Sequence, residues 1–110
     1  MALGDMSFYR IIRTPLFVEQ FDSFNGFTQE RVKRFIHQIT WKGFQVGKPL
    51  GNLFFREKKF NGSRMYFLVY EKWKGVLLVM FSDKKKQTES IVQIKQNLSY
   101  YRDFIYAELK

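Results

Sequence analysis

The sequence predicts an α+β fold: an N-terminal strand, two antiparallel helices, a three-stranded antiparallel sheet and a long C-terminal helix. Three observations carry this reading. Apolar residues recur at helical spacing from Phe17 to Ile39. Aromatic and β-branched runs then flank Asn61-Gly62, and helical spacing returns from Thr88 onward.

Each element has a local reason. Residues 7–13 (SFYRIIR) are short and rich in strand formers, and Thr14-Pro15 supplies a helix N-cap followed by a first-turn proline. Phe17, Phe21 and Phe24 fall at i, i+4 and i+7, and Asn25-Gly26 reads as the C-terminal break of this first helix. A second helix is expected from Thr28 to Gly43, with Val32, Phe35, Ile36 and Ile39 as its core face; the short connection makes the two helices antiparallel. Residues 43–51 hold three glycines and Pro49 and read as a loop.

Residues 53–60 and 64–73 form a hairpin about Asn61-Gly62, a pair suited to the positive φ of a type I′ turn. Residues 76–81 (VLLVMF) are a continuous apolar run, as expected of a strand inside the sheet. Ile91, Ile94, Leu98, Tyr101 and Ile105 are spaced 3, 4, 3 and 4, the stripe of one helix packed on the protein's own sheet rather than a coiled-coil seam, which takes about three heptads or more.

A chain of 110 residues suits one domain, 1–110, with the first six residues as a disordered leader and Met6 as an alternative start. Its 45% hydrophobic content, including 13 Phe, is enough for a core despite the small size. The formal net charge is +9, which favours a polyanionic partner; RNA is the first expectation, and no basic amphipathic helix argues for a membrane. The chain has no Cys, which excludes disulfides and thiolate metal sites, and its one His, His37, falls on a solvent-facing helical position. No metal or other cofactor is expected. With no signal peptide and no apolar run near the ~20 residues of a membrane span, the expected location is cytoplasmic.

The chemistry-bearing residues gather in the hairpin. With a two-residue turn, Phe60 opposes Ser63, Lys58 opposes Met65 and Arg56 opposes Phe67 on one face. Glu57, Lys59, Arg64 and Tyr66 share the other. Lys84, Lys85 and Lys86 follow the last strand, and such crowding of like charge is relieved when an anion occupies the place. Cleavage of RNA by its own 2′-hydroxyl needs a base, cations for the phosphorane and an acid for the leaving 5′-oxygen; Lys, Arg and Tyr suffice in principle, without a metal.

The loop Gly47-Lys48-Pro49-Leu50, the stretch LFFREKKFNGSRMYFLVY over 53–70 and LLVMFSDKKKQ over 77–87 resemble the RelE/ParE toxin superfamily, most closely its RelE-like and HigB-like branches. The resemblance runs from residue 7 to the C-terminus. It implies a RelE-like fold and a type II toxin–antitoxin toxin, a ribosome-associated, metal-independent mRNA endoribonuclease with a cognate antitoxin as partner. The alternatives are a non-catalytic RNA- or DNA-binding module of the same fold and a ParE-like gyrase inhibitor. On the family's pattern Arg56, Lys58, Arg64 and Lys84 are the catalytic candidates, and Lys59, Lys85, Lys86, Tyr66 and Tyr70 the RNA-binding ones. Two positions depart from that pattern: aligned on Tyr70, the usual Arg is Phe67, and Ser90 stands where a Tyr is expected.

Overall fold

The structure is a computed structural model that describes residues 8–110. The reading of the first six residues as a leader, and Ser7 of the expected first strand, lie outside the described residues. In chain order the elements are β1 (Arg10–Arg13), α1 (Pro15–Asp22), α2 (Gly26–Lys42), β2 (Lys48–Pro49), β3 (Phe55–Phe60), β4 (Ser63–Tyr70), β5 (Gly75–Asp83), α3 (Gln87–Gln96) and α4 (Leu98–Leu109). The class is α+β, as expected. The sheet is larger than expected: among the described residues it has five strands in the order β1-β5-β4-β3-β2.

Both additions are non-local. β1 pairs in parallel with β5, Arg10 opposite Gly75 through Arg13 opposite Leu78, so the run 76–81 has neighbours on both sides. The glycine-rich loop contributes β2, in which Lys48 opposes Glu57 and Pro49 opposes Arg56. Proline is tolerated there because β2 is an edge strand. The hairpin register is the one expected, from Phe60 opposite Ser63 to Arg56 opposite Phe67. Only Asn61 of the two turn residues has positive φ, 57°, so the turn departs from the expected type I′ form.

Helices cover both faces of the sheet. On one face Phe17 of α1 and Val32, Phe35, Ile36 and Ile39 of α2 pack with Met65, Phe67, Val76, Leu78 and Phe81. On the other, Ile94 of α3 and Ile105 of α4 pack with Phe55, Tyr66, Leu68, Leu77 and Val79. This double cover explains why β4 and β5 lack a polar–apolar alternation: neither side of them faces water.

Two boundaries move, and a third stays, for identifiable reasons. Asn25 does not end α1; it caps α2, its Oδ1 accepting the Thr28 N–H at 2.8 Å, so α2 begins at Gly26 rather than Thr28. The C-terminal stripe is not one long helix but two, α3 and α4, broken at Asn97, whose side chain donates to the Gln93 carbonyl at 2.8 Å. An Asn that hydrogen-bonds nearby backbone competes with helix continuation, while the 3,4 spacing persists across the break. At the end of α2, Gly43 has φ 57° and the Tyr9 ring lies where a Cβ would stand, so both the turn and the packing require glycine there.

Thr14 ties these layers together. Its buried hydroxyl donates to the Val79 carbonyl at 2.6 Å and accepts the Phe17 N–H at 3.0 Å. Thr14→Val is expected to destabilise the protein by about 2 kcal/mol, because it removes a cap and leaves a buried carbonyl unpaired. Urea denaturation of the two proteins checks this, and an unchanged midpoint would contradict it.

Candidate nucleic-acid interface

A β-bulge sets the chemistry of the α3 face. Tyr66 opposes Met80 but Phe67 opposes Leu78, so Val79 is an extra residue on β5. Val79 and Met80 both join the α3/α4 layer while Leu78 and Phe81 belong to the other. Beyond the bulge the alternation is reset, which brings Ser82 beside Tyr66: the two hydroxyls hydrogen-bond at 2.8 Å. In the same register Glu57 opposes Tyr66, Lys59 opposes Arg64 and Arg64 opposes Ser82.

The resulting cluster lies at the hairpin end of the sheet, beside the start of α3. Gln87, the first residue of α3, donates to Glu57 Oε2 at 2.7 Å. Glu57 is 2% exposed, Tyr66 0% and Arg64 7%, so these three form a floor rather than a rim. Arg64 Nε has no hydrogen-bond partner among the described residues. Burial pushes the Tyr66 phenol above its ordinary value, and the Glu57 charge adds to this, while the Ser82 hydrogen bond and the Arg64 charge oppose it. The phenol therefore holds its proton at neutral pH.

The rim is cationic. Lys59 is exposed, as are Lys84, Lys85 and Lys86 in the turn from β5 to α3. That turn is closed by Asp83, whose Oδ1 accepts the Lys86 N–H at 2.9 Å. None of the four lysines is in an ion pair among the described residues. Three adjacent cations at a helix start also oppose the helix dipole, an arrangement that a bound anion relieves.

The structure thus brings Lys59, Arg64 and Tyr66 together and places the Lys84–Lys86 turn beside them. It does not bring Arg56 and Lys58 to the same place. Both lie on the α1/α2 face, because the bulge is in β5 and nothing interrupts the β3–β4 register. Arg56 is 6% exposed, and its guanidinium donates to three backbone carbonyls: Val46 at 2.7 Å, Leu53 at 2.9 Å and Gly47 at 3.0 Å. Burial lowers its pKa from the ordinary arginine value. Lys58 sits 5.3 Å from the centre of the Phe35 ring, a cation–π contact. Phe67, where the resemblance would place an Arg, is fully buried against Phe35 on this same face. Ser90, where the resemblance would place a Tyr, is buried in α3.

Tyr70 is also remote, six residues from Arg64 along β4 and hence about 20 Å away. It stacks on Trp73 with ring centres 5.5 Å apart. Burial raises its phenol to about 12, opposed by the Arg102 charge. A raised acid pKa favours the folded state below the unfolded value of 10.0, and that contribution is lost as pH rises towards 12. Wild-type stability is therefore expected to fall from about pH 10 to about pH 12 more steeply than that of Tyr70→Phe, as read by chemical denaturation across that range. Equal slopes would contradict the placement.

Glu57, Ser82 and Gln87 were not singled out as site residues by sequence. For Glu57 the signal was available, since hairpin alternation already put it beside Tyr66. Ser82 depends on the bulge and Gln87 on the packing of α3, which no local pattern announces.

The mixed five-stranded sheet of the described residues, with two helices on each face, has the fold of the RelE-type toxins. Solved structures share it. The free E. coli RelE toxin, as a mutant, matches with a TM-score of 0.64 at 12% identity, covering 79% of this chain and 98% of that one. The toxin–antitoxin complex RelBE of E. coli matches at 0.60 and 13%, covering 68% and 95%. The archaeal RelE–RelB complex of Pyrococcus horikoshii matches at 0.57 and 17%, covering 69% and 94%. No family model matches the sequence, and no curated protein matches it. Among the described residues, no helix is long and apolar enough to cross a membrane.

Proposed function

We propose that this chain is the toxin of a toxin–antitoxin pair and that it inhibits translation by binding RNA on the ribosome. The observation that carries this reading is the rim of Lys59, Lys84, Lys85 and Lys86, exposed and outside any ion pair among the described residues, above the buried Arg64. Such a rim binds phosphates and releases their counterions. The antitoxin follows from the company of the fold, since several of the similar toxins were solved with their antitoxins. A net charge of +9 suits an acidic partner as well as RNA.

Cleavage of the bound mRNA is the second reading, favoured by the Glu57–Tyr66–Arg64 floor. Glu57 accepts the 2′-hydroxyl proton, the 2′-oxygen attacks the adjacent phosphorus, and the bond to the 5′-oxygen breaks. A 2′,3′-cyclic phosphate and a 5′-hydroxyl result, the leaving oxygen taking its proton from Tyr66. Arg64 and Lys59 neutralise the phosphorane. Gln87 caps Glu57 and has to swing aside for the substrate to reach it.

Induced expression in a growing host tests both readings. Arrest of protein synthesis that co-expression of the adjacent reading frame relieves is the expected result. Sequencing of mRNA 5′ ends then separates the two. Cut ends at ribosome-bound codons that vanish in Glu57→Gln establish cleavage, and arrest without cut ends leaves binding as the activity. A well-expressed, folded protein that leaves synthesis unaffected would overturn the proposal.

A further inference from the structure

The strand that carries Lys59 has an open edge. β2 covers β3 only at Arg56 and Glu57, leaving Lys58, Lys59 and Phe60 without a strand neighbour on that side among the described residues. The hydrogen bond from the Leu50 N–H to the Phe55 carbonyl, at 2.8 Å, shows that odd-numbered residues of β3 turn their backbone groups towards this edge. Lys59 therefore presents its N–H there, past the end of β2. An open depression of about 450 Å³ lies at this place, lined by Gly47, Lys48, Glu57, Lys58 and Lys59. Its only carboxylate, that of Glu57, already accepts from Gln87, and none of its three lysines is in an ion pair among the described residues.

Lys48 is held in this place from below. Arg56 bonds the carbonyls of Val46 and Gly47 on one side of β2 and of Leu53 on the other, so one buried guanidinium clasps both ends of the segment. Gly47 has φ 79°, and a Cβ there would stand 2.9 Å from the Phe67 ring and 3.0 Å from the Glu57 carbonyl. The backbone before Lys48 thus has one path, between a core phenylalanine and the neighbouring strand. A charged residue that costs desolvation to bury is spent here on loop carbonyls rather than on a ligand.

We propose that the open edge of β3 is a second RNA-phosphate subsite, in which Lys48 with Lys59 holds a backbone phosphate next to the one at the Lys84–Lys86 rim, and that Arg56 is its positioning residue. This rests on the RNA-binding reading above. It assigns Arg56 a role exercised through the loop, with no contact to RNA, and it extends the bound strand round the sheet edge.

The salt dependence of affinity for a short, labelled single-stranded RNA tests it. Removal of one phosphate contact lowers the slope of log K against log salt by about 0.7 and the affinity at 0.1 M salt about fivefold. Lys48→Gln is expected to show this loss. Arg56→Gln is expected to show the same loss, and the double variant no more than either single one, because the two act on one contact. Gly47→Ala, which displaces the loop while leaving the Arg56 side chain itself unchanged, is expected to give the same loss and keeps the positioning claim testable if Arg56→Gln does not fold. A wild type that binds RNA while Lys48→Gln keeps its slope overturns the subsite alone. Additive losses in the double variant, or an unchanged slope in a folded Arg56→Gln or Gly47→Ala, overturn the positioning role. A wild type that fails to bind RNA overturns the function proposed above as well.

Discussion

Replacing Lys59, Lys84, Lys85 and Lys86 together by Gln is expected to weaken binding to single-stranded RNA by two to three orders of magnitude near 0.1 M salt, at about 0.7 decade per phosphate contact. The same variant is expected to abolish growth arrest on induction. All four side chains are exposed and outside ion pairs among the described residues, so folding should be nearly unaffected. Relief of like-charge crowding at the start of α3 should even raise stability slightly. The measurement is paired: fluorescence anisotropy over a salt series, and thermal unfolding of the same preparations. Loss of binding with an unchanged melting temperature places the interface at this rim. Retained affinity with an unchanged salt slope would show that the RNA binds elsewhere or not at all.

Phe67→Arg is expected to unfold the protein. The substitution installs the residue that the resemblance to RelE-like sequences would place there. The structure argues against it. Phe67 is 0% exposed on the α1/α2 face, its ring 5.7 Å from that of Phe35 in an edge-on contact, and the Gly47 backbone is pressed against it. Arg64 and Tyr66 are on the other side of the sheet, so no phosphate bound near them is within reach. An unpaired cation in this core costs several kcal/mol, against a total stability of about 5–15 kcal/mol for a typical domain. Phe67→Leu keeps the site apolar and is expected to cost only about 1–2 kcal/mol, and it serves as the folded control. Circular dichroism and a melting curve decide the matter. A folded Phe67→Arg protein with enhanced RNA cleavage would show that residue 67 faces the bound RNA and not the α1/α2 core.

Arg56 shows why a residue type alone was a poor guide to the site. On sequence it is one more cation on a basic strand. Its actual partners, the carbonyls of Val46, Gly47 and Leu53, belong to a segment whose path depends on β2 pairing, on φ 79° at Gly47 and on the Phe67 ring. The hairpin alternation did separate Arg56 and Lys58 from Arg64, and the structure keeps that separation because the bulge falls on β5. Tyr66 and Tyr70 looked equivalent as tyrosines on one face. They differ because distance along a strand accumulates at about 3.3 Å per residue, and only Tyr66 is near the hairpin end.

What the sequence determined by itself was everything encoded in short-range chemistry. Thr14-Pro15 starts α1, the Phe and Ile spacing builds the helices, and Asn61-Gly62 sets the hairpin and hence which residues share a face. The uneven charge was legible too, since a count of lysines needs no coordinates. Tertiary structure alone decided the parallel pairing of β1 with β5, the existence of β2, the break at Asn97 and the bulge that turns Ser82 towards Tyr66. These join residues far apart in the chain, or depend on which of two locally acceptable conformations packs better. It also decided which cations are free. Whether an arginine meets a phosphate or a carbonyl depends on what lies within hydrogen-bonding reach once the chain is closed, and Arg56 is surrounded by its own backbone.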